Sequence, residues 1–154
     1  MKRSLRVLLA ISMICVATLA SDKSKPQKMS VSVDGKDRTY YVLTPENLTS
    51  PAPLLLLLHG SGRDGMSQID AWKNLAEKEG VILVAPDSAN SREWAFPADG
   101  PDFLHDVVEA VRAKYPVDGK RLYLFGHSAG AVFGLYNGIM DPGTLPPWLS
   151  TPAP

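Results

Sequence analysis

Apolar and polar residues alternate from Met29 through Val31 and Val33, stop at Asp34-Gly35, and resume with Tyr40, Tyr41, Val42 and Leu43. A period of two interrupted by Asp-Gly predicts an antiparallel hairpin. After a loop over 45–53, Leu54 to Leu58 is an unbroken apolar run, as expected of a strand buried on both faces of a parallel sheet. Ser67 with Asp70 reads as a capping box, Ile69, Trp72, Leu75 and Ala76 share one helical face, and Gly80 suits a helix stop. Val81 to Ala85 is a second buried strand, followed by a polar loop over 86–100. Phe103, Leu104, Val107, Val108 and Val111 follow Asp102 at helical spacing, and Pro116 closes that segment. Leu122 to Phe125 is a third strand running into Gly126, and the mostly apolar stretch from Ser128 to about Met140 predicts a buried helix. This order of strands and helices predicts an α/β fold: a mostly parallel sheet with right-handed crossovers, helices on both faces and the antiparallel hairpin at its N-terminal side.

The ends of the chain have a different character. Lys2, Arg3 and Arg6 precede an apolar stretch from Val7 to Ala20, too short to span a bilayer and followed by Ser21, so residues 1–20 read as a cleaved secretory signal. The expected location is secreted or periplasmic, with no stable membrane anchor after cleavage. Bulky Met13 and Ile14 argue against lipid attachment at Cys15. Residues 21–27 form a polar leader, 28–140 the domain, and 141–154 an irregular tail with five prolines (DPGTLPPWLSTPAP) that lacks the strand an α/β order would place next. Cys15 is the chain's one cysteine, so cleavage would leave neither a disulfide framework nor a thiolate metal site. Sixteen basic residues balance sixteen acidic ones, giving no electrostatic footprint for nucleic acid. Asn47-Leu48-Thr49 fits the N-glycosylation acceptor, a tripeptide common by chance.

The candidate chemistry sits at Gly126-His127-Ser128-Ala129-Gly130. A G-x-S-x-G pentapeptide arises by chance in roughly one chain in twenty of this length. Here it follows an apolar strand and opens a helix, the context in which a strained turn presents a serine nucleophile. Glycines flank the turn because a Cβ there would meet neighbouring chain, and the Ala129 N–H at the helix start can face the oxyanion of a tetrahedral intermediate. Directly after the first buried strand, His59-Gly60-Ser61-Gly62 offers a second backbone donor, from Ser61 and next from Gly62. His59 is expected to support this loop instead of acting as base. His127 should point away from Ser128 in a supporting role, and His105 should be solvated on its helix.

The run over 53–138 resembles the secreted polyhydroxybutyrate-depolymerase and feruloyl-esterase group of α/β-hydrolases through PLLLLLHGSGRD, VILVAPDS, the Trp94-bearing loop and DFLHDVVEAVRAKYPVDGKRLYLFGHSAG. The resemblance implies an α/β-hydrolase fold, a carboxylic-ester substrate that is a small molecule or a polymer, and no cofactor or metal. It implies Ser128 as nucleophile and the Ser61 and Ala129 N–H groups as oxyanion donors. Trp94 becomes either a lining residue of the acyl or alcohol pocket or a core aromatic, with Gly62 and His127 assigned alongside it to the substrate-binding surroundings. In this fold the acid and the histidine of the triad follow the serine. Only Asp141 and no histidine follow Ser128, so 28–140 reads as a partial domain, the C-terminal part of the fold is expected to be missing, and the elbow strand should be left as an edge. A truncated serine esterase is therefore one reading. A non-catalytic secreted binding protein of the same fold is another, and a prolyl-oligopeptidase-like serine peptidase is a third, since no residue separates amide from ester substrates.

Overall fold

The computed structural model describes residues 25–140 apart from 47, 49 and 50; the expected signal, most of the leader, the proline-rich tail and part of the Asn47 acceptor lie outside the described residues. The alternation at the N-terminus forms β1 (Gln27–Val33) and β2 (Lys36–Leu43), paired antiparallel. Asp34 and Gly35 turn the chain with φ of 51° and 72°, the left-handed pair that a two-residue hairpin requires.

The leucine run becomes β3 (Ala52–Leu58), followed by α1 (Gly65–Glu79), β4 (Ile82–Pro86), α2 (Pro101–Arg112), β5 (Val117–Gly126) and α3 (Ala129–Met140). The five strands form one sheet in the order β1-β2-β4-β3-β5. β4, β3 and β5 run parallel, and β2 joins β4 antiparallel, so the hairpin extends the parallel part. Period two along β3 divides the core. Leu54, Leu56 and Leu58 pack with Phe103, Leu104, Val107, Val108 and Phe133 beneath α2 and α3, whereas Leu57 packs with Ile69, Ala76, Leu83 and Ala85 beneath α1. Helices on both faces bury Leu54, Leu56, Leu57 and Leu58 and partly cover Leu55, which is why its sequence shows no alternation.

The α1 cap lies three residues before the expected one. Asp64 caps the helix by accepting the Ser67 N–H at 2.9 Å, and the Ser67 hydroxyl returns a bond to the Asp64 carbonyl. Gly80 ends α1 in the left-handed conformation. Asp87, just past β4, accepts the Gly65 N–H at 2.7 Å. Burial, and then the nearby carboxylates of Asp87 and Asp64, raise the Tyr41 phenol above its ordinary range. Strand β5 begins five residues earlier than its apolar run. Its polar start is folded by Asp118, which accepts from Arg121 Nε at 2.7 Å and from the Lys120 N–H at 2.9 Å, contacts that hold this carboxyl below the usual carboxylate range.

Two features concern the elbow side of the sheet. Among the described residues β5 pairs only with β3, so its far edge is open. The expectation of a buried final helix is corrected: Phe133 and Asn137 of α3 are buried, but Val132 is 72% exposed, Leu135 62% and Tyr136 50%. High apolar content reveals that a helix has sites to bury and does not reveal which neighbour covers each face.

Replacing buried Leu56 with Ala should cost about 2–5 kcal/mol, read by denaturant unfolding. A Val132→Glu/Leu135→Lys variant should change stability by less than about 1 kcal/mol while lowering self-association and dye binding to exposed apolar surface, measured by light scattering and fluorescence.

Candidate active site

Ser128 sits between the end of β5 and the start of α3 with φ of 52°, a left-handed conformation that is costly for a residue bearing a Cβ. The surrounding chain enforces it. His127 donates its backbone N–H to the Leu58 carbonyl at 2.9 Å, and the Ser128 carbonyl immediately accepts the Ala131 and Val132 N–H groups, so strand and helix are joined with no slack. A Cβ on Gly126 would lie 2.4 Å from the Gly130 carbonyl oxygen, and one on Gly130 would lie 2.4 Å from the Leu58 oxygen and 2.7 Å from the His59 oxygen. Both glycines are therefore required by contact with backbone, which cannot yield as a side chain could. Ser128 is exposed, and its Oγ has no hydrogen-bond partner among the described residues.

The exit of β3 runs against this elbow. A Cβ built on Gly60 would stand 2.8 Å from His127 Nδ1 and 3.4 Å from Ser128 Cβ, which places the Gly60-Ser61 peptide beside the serine. The Gly62 N–H is taken by the Ser91 carbonyl at 2.7 Å. Neither the Ser61 N–H nor the Ala129 N–H is bonded among the described residues. Of the two donors weighed in the exit loop, Ser61 is thus the free one. Ala129, the first residue of α3, adds the positive end of a helix dipole.

His59 is buried with both ring nitrogens engaged. Nδ1 lies 2.9 Å from the Gly60 carbonyl and must donate to it, which leaves Nε2 to accept the Ser88 N–H at 3.1 Å. No lone pair remains for a serine proton. His105 is about half exposed on α2, 3.7 Å from the Asp106 carboxylate. His127 lines a cleft of about 300 Å³ with Arg63, Ser67, Gln68, Trp72 and Phe125 on the α1 side of the sheet.

Ala129 and Trp94 line a different cleft, of about 440 Å³, together with Glu93, Phe96, Val132, Phe133 and Tyr136. Trp94 stacks on Phe133 at 5.2 Å, tilts against the His59 ring at 4.8 Å, and donates its Nε1–H to the His59 carbonyl at 2.8 Å. It therefore belongs to the edge of the core and to the wall of the cleft at once. Sequence reasoning did not single out Phe96, Phe133 or Tyr136. The spacing of Ala129, Val132, Phe133 and Tyr136 was a readable helical face, whereas Phe96 lies in a loop with no period to read. Among the described residues, no cluster of three or more His, Cys, Asp or Glu side chains could hold a metal ion, and no helix is long and apolar enough to cross a membrane.

No family model matches the chain. Over 103 residues, 64% of its length, it is 32% identical to a bifunctional acetylxylan esterase/xylanase of Neocallimastix patriciarum, of which the match covers 15%. In fold it is similar to the acetyl xylan esterase of Aspergillus awamori (TM-score 0.66, 19% identity, 79% of this chain and 49% of that one). It is also similar to the poly(3-hydroxybutyrate) depolymerase LpqC of Bordetella parapertussis (TM-score 0.59, 21% identity, 71% and 45%). The chain thus spans about half the length of these solved structures and a smaller part of the curated relative. Sheet order, helices on both faces and a strand-elbow-helix junction agree with these likenesses: the chain carries the α/β-hydrolase fold.

Proposed function

We propose that this chain is the nucleophile-bearing part of a serine hydrolase that cleaves carboxylic esters by acyl transfer through Ser128. The observation that carries this reading is the left-handed Ser128, a strained non-glycine residue on a junction whose glycines are fixed by backbone contact. Ser128 Oγ attacks the ester carbonyl carbon, and the Ser61 and Ala129 N–H groups receive the negative charge that develops on its oxygen. The Ser128 hydroxyl proton passes to a base as the O–C bond forms, and collapse returns it to the departing alcohol, leaving an acyl-serine for water to cleave. The cleft walled by Trp94 and Ala129 holds the group next to the reacting carbon, with Gly62 and His127 as neighbours of the donor loop. The similar proteins named for acetylxylan and poly(3-hydroxybutyrate) suggest a short acyl group on a polymeric or small-molecule alcohol. Export by the first 20 residues would bring such an enzyme to extracellular polymers.

The chemistry also needs a base. Among the described residues the His59 ring is fully engaged, His127 faces the other cleft and His105 lies on α2 beside Asp106. The residues present supply the nucleophile and the oxyanion donors. A second reading is a non-catalytic binding protein that keeps the cleft, whose walls of Trp94, Phe96, Phe133 and Tyr136 suit an apolar group without any chemistry.

The two readings separate under an aryl acetate ester with and without imidazole as an external base. The chain alone should show negligible turnover, since a positioned base contributes about 10²- to 10⁴-fold. Imidazole should speed acetylation of the Ser128-containing peptide, followed by mass spectrometry, by about tenfold or more over the same reaction in Ser128→Ala. Equal acetylation of other serines, or no difference between the two proteins, would sink the esterase reading.

A further inference from the structure

Asp99 is buried without any solvent exposure, far in sequence from the elbow and outside every motif that marks the site. Its Oδ1 accepts Arg38 Nη2 at 2.5 Å and the Ala89 N–H at 2.8 Å, and its Oδ2 accepts the Ala95 N–H at 2.9 Å. One carboxylate thereby ties together both ends of the segment 89–95. Arg38, reaching from β2, also donates to the carbonyls of Asp87 and Ala98 and lays its guanidinium 3.8 Å above the Phe103 ring. The pair thus joins the sheet, α2 and the loop over 87–100.

That loop holds the donor segment at three points. The Ser88 N–H binds His59 Nε2 at 3.1 Å, Trp94 Nε1–H binds the His59 carbonyl at 2.8 Å, and the Ser91 carbonyl receives the Gly62 N–H at 2.7 Å. Ser61 lies between the residues so held. A backbone donor is effective only when its direction is fixed before charge develops, because reorientation during the reaction would consume the stabilisation it provides. Gly60 is buried against the elbow, but Ser61 and Gly62 are exposed, and the contacts that hold their side of the loop come from 87–100. That loop in turn is polar and irregular; local bonds around Asn90 turn its middle, and the charge pair holds its two ends together. A buried ion pair is poor value for stability alone, and here its three carboxylate bonds all go to groups that set the course of the segment carrying Trp94.

We infer that Asp99, clamped by Arg38, is a positioning residue for the oxyanion donor Ser61, acting through the Ser88, Ser91 and Trp94 contacts. The inference rests on the serine-esterase reading for the role of Ser61, while the bracing itself can be measured independently.

The test uses the whole chain as wild type, Asp99→Asn and Trp94→Phe, with aryl acetate plus imidazole as the acylation reaction and amide hydrogen exchange by NMR as the structural readout. Asp99→Asn, compared at a temperature where circular dichroism shows it folded, should exchange the Trp94 indole N–H and the Gly62 N–H at least about tenfold faster. Its Ser128 acetylation should fall about 10- to 100-fold, less than the full loss of an oxyanion donor. The loss should appear in the limiting acylation rate and not in the ester concentration for half-saturation. Trp94→Phe, which removes one brace, should show a smaller loss of the same kind, and the double variant should be no slower than Asp99→Asn. A freed loop with wild-type acetylation overturns the inference, as does unchanged protection of the Gly62 and Trp94 N–H groups in Asp99→Asn. If Asp99→Asn fails to fold, Trp94→Phe decides: unchanged Gly62 exchange together with unchanged acetylation overturns the inference. No Ser128 acetylation in wild type above Ser128→Ala overturns the esterase reading and the role of Asp99 with it, an outcome that the exchange data keep distinct from a failure of the bracing.

Discussion

The contact of the elbow with the end of β3 is the constraint from which the rest of the site hangs. The Leu58 carbonyl accepts the His127 N–H, and Gly130 lies so close to the Leu58 and His59 carbonyls that no side chain fits there. The His59 carbonyl also receives the Trp94 indole. Two consecutive peptide groups at the end of one strand therefore fix the elbow turn, the helix that follows it and the wall of the cleft. Displacing them would require Ser128 to leave its strained conformation, since the parallel pairing of β3 with β5 carries the register directly into the turn. The stability of the largely buried β3 thus holds the strain of an exposed serine.

This arrangement explains which parts of the molecule were legible in the sequence. Leu54 to Leu58 and the run after Val81 could be read because burial on two faces leaves a continuous apolar signature. Ser128 could be read because its constraints are local: strand, two glycines, helix. The α1 cap was misplaced because Asp64 and Ser67 are both good capping residues and only the packed chain selects between them. Asp99 carried no signal at all. Its partners are the backbone of its own loop and an arginine 61 positions away, and no periodicity links them.

The correction at α3 has the same origin. Phe133 reaches the core between Trp94 and Phe96, while Val132 and Tyr136 beside it line the cleft with much of their surface exposed and Leu135 is exposed as well. Composition counts apolar side chains and topology decides which of them are covered. In a chain whose elbow strand has one partner among the described residues, the helix that begins at the elbow can bury only the face turned toward that partner's side of the sheet.

The chemistry divides along the same line. The two groups proposed for charge stabilisation, the Ser61 and Ala129 N–H groups, are backbone, one just past the end of β3 and one at the start of α3. The base and its carboxylate partner must be side chains, and in this fold their positions follow the nucleophile in the chain. Oxyanion donors and binding alone retain about 10³- to 10⁴-fold over water once a triad is disabled. On the proposed reading, donors made of backbone polarise and orient an ester, and activating the serine falls to a separate proton acceptor. A small-molecule base therefore probes the proposed nucleophile directly, because it supplies proton transfer without altering the backbone that would hold the oxyanion.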